Sequence, residues 1–383
     1  MEKQNKDILI VAGEASGDIH AAHLVRAMYP LAPSLRFFGL GGKKMEQEKV
    51  RLMFNIAELA VVGIWEAVKK YGTFKRIFND LLDEVDRVKP AAAILVDYPG
   101  FNLRLAGELK KRNIPVIYYI SPQIWAWGQN RIKYIRETVS LMVVLFKFEE
   151  ELYKKNNVPV FFAGHPLLDN IKVNLSRGEF CGQTGLETGK TTLALLPGSR
   201  DKEVQSLLPV MLKSAGIISK ELNGNIQFII LRSSNVREEI FNTILGTAGI
   251  PVKMSADTTY EGLAASDFAL VASGTATLET ALLKIPMAIL YKTSFLTWAF
   301  GKMALKIPYI GLVNVVKGEK FIEEFIQNNA DPEKISAHVL KTLRTPGKIS
   351  AIQSGYAHLA ASLGEKGATQ RAAQTIAEFL RKI

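Results

Sequence analysis

Short runs of β-branched and other apolar residues recur along the chain, and a stretch with helical periodicity follows most of them. In the first half the pattern predicts strands at 8–12, 36–39, 93–97, 116–120, 141–145 and 160–162, with helices between them, for example over 74–88 and 103–111. The second half repeats the plan, with strands at 193–196, 227–231, 252–254, 268–272 and 287–290. These runs are apolar throughout and do not alternate. That is the mark of parallel strands covered by helices on both faces. A polar segment over 172–190 separates the halves and should contain the linker. The expected architecture is α/β, with two Rossmann-like, doubly wound parallel-sheet domains facing each other across a cleft. They would cover 1–170 and 190–349, and a helical tail over 350–383 would be free to pack back on the first.

In such sheets ligands sit beyond the carboxyl ends of the strands. The first strand ends in Gly13-Glu14-Ala15-Ser16-Gly17-Asp18, which places two carboxylates among glycines where a phosphate loop would want amides and a lysine. The strand over 93–97 ends at Asp97, before Tyr98-Pro99-Gly100. A carboxylate on a rigid turn can act as a general base, and it can equally just hold the turn; on pattern alone the turn role is favoured. Trp125 and Trp127 follow the next strand. Their indole faces suit a sugar ring or an acyl chain, and one of the two is expected in the core.

In the second half, Pro197-Gly198-Ser199-Arg200 offers a guanidinium that could fork onto phosphate oxygens or simply face solvent. Ser273-Gly274-Thr275 opens a helix whose free amides and positive dipole end suit an anion, with Thr275 as the expected N-cap. Glu279, one turn on, could accept both hydroxyls of a ribose. Asp18-x-His20-x-x-His23 reads as a coincidental helix face and not as a metal site, since no further ligand cluster accompanies it.

Composition narrows the class. The chain has 383 residues, 48% hydrophobic and 22% charged, with one cysteine, so it is globular and has no disulfide framework. Cys181 is expected on a surface loop as a passive thiol. The polar N-terminus reads as no signal peptide, and no apolar run is long enough for a spanning helix, so a cytoplasmic protein is expected. A net charge of +11 attracts anionic substrates, lipid or nucleic acid, but no nucleic-acid-binding signature is present.

The stretches VAGEASGD, GLGGKKM, AVVGIWEAV, YYISPQIWAW, NVPVFFAGHP, LLPGSRDKEV, ASGTATLE and YIGLVNVVKGEKFIEEFIQ occur in this order over almost the whole chain. With them the sequence resembles the lipid-A-disaccharide synthases, glycosyltransferases of the GT-B plan. The resemblance implies transfer from a UDP-2,3-diacylglucosamine to 2,3-diacylglucosamine 1-phosphate, with inversion at the anomeric carbon and release of UDP. It implies neither metal nor cofactor. It raises Asp97 to the base, with Glu14, Ser16 and Asp18 beside the acceptor and either acid able to assist the proton transfer. It places Arg200, Ser273, Gly274, Thr275 and Glu279 on the donor, and carries over Asn314 and Gln327. After Asn314 the family's usual Gly-Arg-Glu is replaced by Gly318-Glu319-Lys320, and Gln123 and Gly128 stand where serine and arginine are commoner.

Both substrates carry acyl chains. The apolar stretch over 60–68, with Val61, Val62, Ile64 and Trp65, is followed by Lys69, Lys70, Lys75 and Arg76, a combination suited to docking on an anionic membrane. The segment over 295–309, with Trp298 and Phe300, is a second such candidate. The expected location is therefore the cytoplasmic face of the inner membrane, with a homodimer left open. The rival readings are a UDP-sugar 2-epimerase of the same plan and a non-catalytic UDP-sugar or lipid binding protein.

Overall fold

The computed structural model describes residues 6–55, 67–126, 128–293 and 308–383. They form two compact units, residues 1–166 with 363–383, and residues 167–362.

The first unit is built on seven parallel strands: β1 (Lys6–Ala12), β2 (Leu35–Gly41), β3 (Arg51–Asn55), β4 (Ala92–Val96), β5 (Val116–Tyr119), β6 (Leu141–Val144) and β7 (Val160–Phe162). Their spatial order is β3-β2-β1-β4-β5-β6-β7. The helices between them are α1 (Ala15–Met28), α2 (Lys43–Gln47), α3 (Ala67–Val88), α4 (Pro99–Lys111), α5 (Ile132–Thr138) and α6 (Lys147–Lys155). The second unit holds β8 (Thr191–Leu196), β9 (Ile226–Arg232), β10 (Lys253–Ala256), β11 (Phe268–Ala272), β12 (Met287–Tyr291) and β13 (Glu324–Ile326), in the order β10-β9-β8-β11-β12-β13. Its helices are α7 (Leu167–Asn170), α8 (Arg177–Thr184), α9 (Asp201–Glu221), α10 (Glu238–Leu245), α11 (Thr259–Ala264), α12 (Thr275–Leu282), α13 (Leu312–Lys317), α14 (Pro332–Arg344) and α15 (Lys348–Ser362), and α16 (Ala368–Arg381) closes the chain.

The central strands are buried along their whole length, as the unbroken apolar runs require. Ile8–Ala12 and β4 are at most 1% exposed, and each such side chain contributes on the order of 1.5–3 kcal/mol by leaving water. The helices cover them with one stripe each. On α9 the stripe is Val204, Leu207, Leu208, Met211, Ala215 and Ile218. Observed strand ends lie within about two residues of those read from the sequence. The two strands missing from that reading, β3 and β13, are short strands at the edges of their sheets, with no more than three apolar residues in a row and only partial burial.

The segment over 172–190 is anchored on the second unit. Ser176 caps α8 in a reciprocal box with Glu179, and Arg177 makes a two-pronged ion pair with Asp267 at 2.9 Å. Cys181 lies on this helix and is buried, contrary to the expectation of a surface loop, because α8 turns it inward with Phe180. The tail divides. In α15, Gln353 donates to the Lys284 carbonyl and Tyr356 meets Phe321 edge to face, both within the second unit. In α16 and the turn before it, Arg371 donates to the Ala163 carbonyl and Arg381 to that of Leu31, within the first. Among the described residues, no helix is long and apolar enough to cross a membrane. Val61, Val62, Ile64, Trp65 and Trp127, and the greater part of the segment over 295–309, lie outside the described residues.

Candidate active site

In each unit the strand order reverses at one point, between β1 and β4 in the first and between β8 and β11 in the second. Those are the places where an open parallel sheet leaves a crevice at its carboxyl edge. Glu14 and Asp97 follow the two strands that flank the first, and Arg200, Ser273, Gly274, Thr275 and Glu279 line a pocket at the second.

In the first unit Ala12 pairs with Val96, so the residues that follow, Gly13-Glu14 and Asp97, emerge side by side. Gly13 has no substitute here, because a Cβ would lie 2.0 Å from the ring of Tyr98. Asp97 and Tyr98 both have φ of +47°, a left-handed pair that non-glycine residues rarely adopt. Two buried side chains hold the strained turn by its carbonyl. Tyr118 donates its hydroxyl to the Asp97 C=O at 2.6 Å, and Asn102 donates its amide to the same oxygen at 2.8 Å. The Asp97 carboxyl is thereby fixed in a largely desolvated position beside Glu14. Burial, then the Glu14 charge, push its ionisation from the ordinary 3.8 up to about 6. Glu14 itself occupies the N-cap position of α1, is exposed, and its side chain caps nothing. Ser16 is exposed in the first turn of that helix.

Asp18 does different work from its expected one. It is 5% exposed, and its two oxygens accept from the backbone amides of Gly42 (2.8 Å), Lys44 (3.0 Å) and Met45 (3.1 Å). It ties α1 to the start of α2, and Gly42 is needed because a Cβ would lie 2.6 Å from the Asp18 carboxylate. Trp125 is likewise turned inward at 8% exposure. Its indole N–H donates to Glu149 at 3.1 Å and its ring meets Phe148 edge to face. Burial pushes the Glu149 carboxyl up to about 8. Trp125 therefore packs in the core of the first unit. His20 and His165 are held neutral by burial, at about 4 and about 3.

In the second unit, a pocket of about 400 Å³ is bounded by Gly198–Arg200, Glu203, Ser233, Thr259 and the start of α12. Gly274 is the N-cap of α12, with φ of +153°, so the expected assignment of Thr275 to that position is corrected by one residue. The reason is conformational: only glycine enters that backbone region without strain, and Thr275 already belongs to the first turn. Thr277 donates its hydroxyl to the Gly274 carbonyl at 2.8 Å, and Ser273 donates its own to that of Ile310 at 3.0 Å. Thr275 and Ala276, in the first turn of α12, line the pocket.

Arg200 stands at the opposite wall, 75% exposed and paired with Glu203 at 2.9 Å. The other oxygen of Glu203 accepts from the Ser199 amide at 3.0 Å, so Glu203 shapes the loop. Glu279 lines the pocket and accepts from the Tyr260 hydroxyl at 3.0 Å; burial raises its ionisation above the ordinary range. The sequence reading missed Glu203, Tyr260, Asn102 and Tyr118. Only Glu203 had a local signal, its place in the first turn of a helix that begins after Arg200.

Of the two residues carried over from the resemblance, Asn314 is taken up by its own fold, and Gln327 is held by Thr293 through one donor and one acceptor. Asn314 is fully buried. Its amide nitrogen donates to the Ile322 carbonyl and to Glu324, and its oxygen accepts from the amides of Phe321 and Ile322. Its hydrogen-bonding capacity is filled by its own fold, which leaves none for a substrate. Gln327 clamps Thr293 from both sides, accepting from its N–H at 2.8 Å and donating to its C=O at 3.1 Å.

A family model described as lipid-A-disaccharide synthetase matches residues 8–379. The chain belongs to the lipid-A-disaccharide synthase family. It is 44% identical to the enzyme of that name from Syntrophus aciditrophicus over 379 residues, covering 99% of each chain. It is 39% identical to that from Geobacter sulfurreducens, covering 100% of this chain and 99% of the other. Among solved structures it is similar in fold to a UDP-N-acetylglucosamine 2-epimerase from Neisseria meningitidis bound to UDP-GlcNAc, with a TM-score of 0.62 at 12% identity over 98% of this chain and 100% of that one. A putative 2-epimerase from Listeria monocytogenes gives a TM-score of 0.65, also at 12% identity, over 99% and 98%. At that identity the likeness speaks for the two-domain GT-B plan and not for the reaction. Family membership makes the chain a glycosyltransferase.

Proposed function

We infer that this glycosyltransferase joins the sugar of a UDP-2,3-diacylglucosamine to 2,3-diacylglucosamine 1-phosphate, inverting at the anomeric carbon and releasing UDP. The observation that carries the assignment of roles is the pair of acids at the β1–β4 crevice, with Asp97 raised to about 6 by burial and by Glu14. A base works best when its ionisation lies near the working pH, and such a group contributes roughly 10²–10⁴ in rate. Asp97 takes the proton of the acceptor hydroxyl as that oxygen attacks the anomeric carbon. The bond to UDP breaks and its electron pair leaves on the phosphate. The amides at the start of α12 and the Arg200 guanidinium hold that charge. The Glu279 oxygen not taken by Tyr260 accepts from the ribose. Glu14 orients the acceptor and keeps Asp97 basic. The acyl chains of both substrates favour work at a membrane surface, with the stretch over 60–68 as the docking segment.

The test is direct. The purified protein is given UDP-diacylglucosamine and diacylglucosamine 1-phosphate, and the products are read by mass spectrometry. A tetra-acylated disaccharide 1-phosphate, two acyl chains from each sugar, with stoichiometric UDP is expected. A sugar nucleotide changed only at C2, or binding of UDP with no product, would replace this reading with the epimerase or the carrier.

A further inference from the structure

We propose that Tyr260 is a positioning residue of the donor pocket: it holds one carboxylate oxygen of Glu279 and leaves the other for the hydroxyl pair of a ribose, and so makes the pocket select nucleotides that carry those hydroxyls. The proposal rests on the reading of that pocket as the seat of UDP. The described residues that line the pocket include Thr259 and Glu279 but not Tyr260. The Tyr260 hydroxyl donates to one Glu279 oxygen at 3.0 Å, so what it does for a ligand it does through that carboxylate. Among the described residues the second Glu279 oxygen has no hydrogen-bond partner. A carboxylate only accepts hydrogen bonds, and it repels a second anion. What it can take from a bound nucleotide is therefore an O–H or N–H donor. The spacing chooses between the two. Glu279 lies one turn beyond Thr275 on α12, about 6 Å along the axis. A ribose directly adjoins a phosphate held at the start of that helix, whereas the base lies beyond the ribose.

Tyr260 is held in place by α11. Gly262 lets that helix lie directly on the end of β9, since a Cβ there would come within 2.2 Å of the Leu231 side chain. The turn before the helix is tied to the same strand exit. The Asp257 N–H donates to the Arg232 carbonyl at 3.1 Å, and the Asp257 carboxylate accepts from the Ser234 N–H at 3.1 Å. Leu231 and Ser233 line the pocket, so its wall and the residue that braces Glu279 are fixed to one strand end. The hydroxyl also bears on charge. Glu279 is half-buried, and burial favours its neutral form, which would offer a proton where an acceptor is wanted. The Tyr260 hydrogen bond favours the ionised form. Ribose hydroxyls donating to the free oxygen add to that preference. A nucleotide without them leaves a largely desolvated carboxylate oxygen unpaired.

The experiment measures Kd by calorimetry for UDP and for 2′,3′-dideoxy-UDP, on the wild type, Tyr260→Phe, Glu279→Ala and the double variant. The wild type should prefer UDP by at least about tenfold. Tyr260→Phe should cut that preference roughly threefold to tenfold through weaker UDP binding, with the dideoxy nucleotide bound as before. Glu279→Ala should abolish the preference. Tyr260→Phe added to it should change nothing further, since a residue that acts through another has no effect in its absence. The preference is a ratio taken on one preparation, so a partly unfolded variant gives the same reading. Glu279→Gln keeps the shape and loses the charge; it should show part of the loss, and it supplies the reading if Glu279→Ala does not fold. An equal loss for both nucleotides in Tyr260→Phe, an intact preference there, or a further loss in the double variant overturns the proposal. A wild type that binds both nucleotides alike overturns it too, and leaves the UDP site standing. A wild type that binds neither overturns the donor assignment itself, and the proposal with it.

Discussion

Replacing Asp97 by asparagine separates the two roles this residue could have. Asparagine is among the few residues that accept the left-handed backbone seen here, at φ of +47°, so the turn itself should survive. The Tyr118 and Asn102 bonds go to the main-chain carbonyl and are untouched. What is lost is a carboxylate that folding has made harder to ionise. Its ionisation moves from 3.8 to about 6 on folding. The folded state therefore binds the proton more tightly than the unfolded one. The stability this confers is fully present below about 3.8 and is lost as pH rises through about 6. At neutral pH the charged group costs the fold on the order of 2–3 kcal/mol. Asp97→Asn should then melt no lower than the wild type at pH 7.5, and higher if its amide is satisfied. Turnover should fall by roughly 10²–10⁴.

The same shift predicts the wild-type pH profile. At pH 5 a group that ionises at about 6 is about one-tenth deprotonated, against more than nine-tenths for an ordinary aspartate. So kcat/KM should fall about tenfold between pH 7 and pH 5. Glu14→Gln removes the second contribution to the shift but leaves burial, so its acid limb should move to lower pH without reaching 3.8. Initial rates across pH 4.5–8.5 and thermal melts at two pH values supply the data. Loss of stability with little loss of rate would make Asp97 a turn holder and nothing more. Full turnover in Asp97→Asn with inactivity in Glu14→Gln would exchange the two acids.

Tyr118→Phe removes the 2.6 Å bond to the Asp97 carbonyl and leaves a buried acceptor with one donor fewer. It should cost about 1 kcal/mol of stability by denaturant melt and lower kcat without changing the donor KM. Arg200→Ala should weaken UDP binding by about 1.5–3 kcal/mol if its guanidinium meets the pyrophosphate; calorimetry showing an unchanged Kd would remove it from the site. Serine at Val61, Val62, Ile64 and Trp65 should reduce liposome binding and activity on long-chain acceptor while the short-chain rate is kept. A collapsed fold would instead place that stretch in the core.

The type of the elements, and the place of the central ones, were legible in the chain itself. A strand buried on both faces must be apolar at every position, and a covering helix must be apolar along one stripe, so β1, β4, β8 and β11 announce themselves, and with them the turns that carry Glu14, Asp97, Arg200 and Gly274. Of the four edge strands, β7 and β10 were legible and β3 and β13 were not; an edge position relaxes that demand, so the signal there is weak. Which turns meet is another matter. Glu14 and Asp97 are far apart in the chain, and they become neighbours only because β1 pairs with β4 in the register Ala12 to Val96. Every strand of a parallel sheet has the same apolar signature, so spacing says nothing of the order in which they lie. The direction of a polar side chain was decided at the same level. Asp18, Trp125 and Asn314 look like ligand groups in a motif, yet each bonds to backbone or side-chain partners in its own unit. The raised ionisation of Asp97 belongs there too, since burial and a neighbouring charge are properties of the packed molecule and not of the residue.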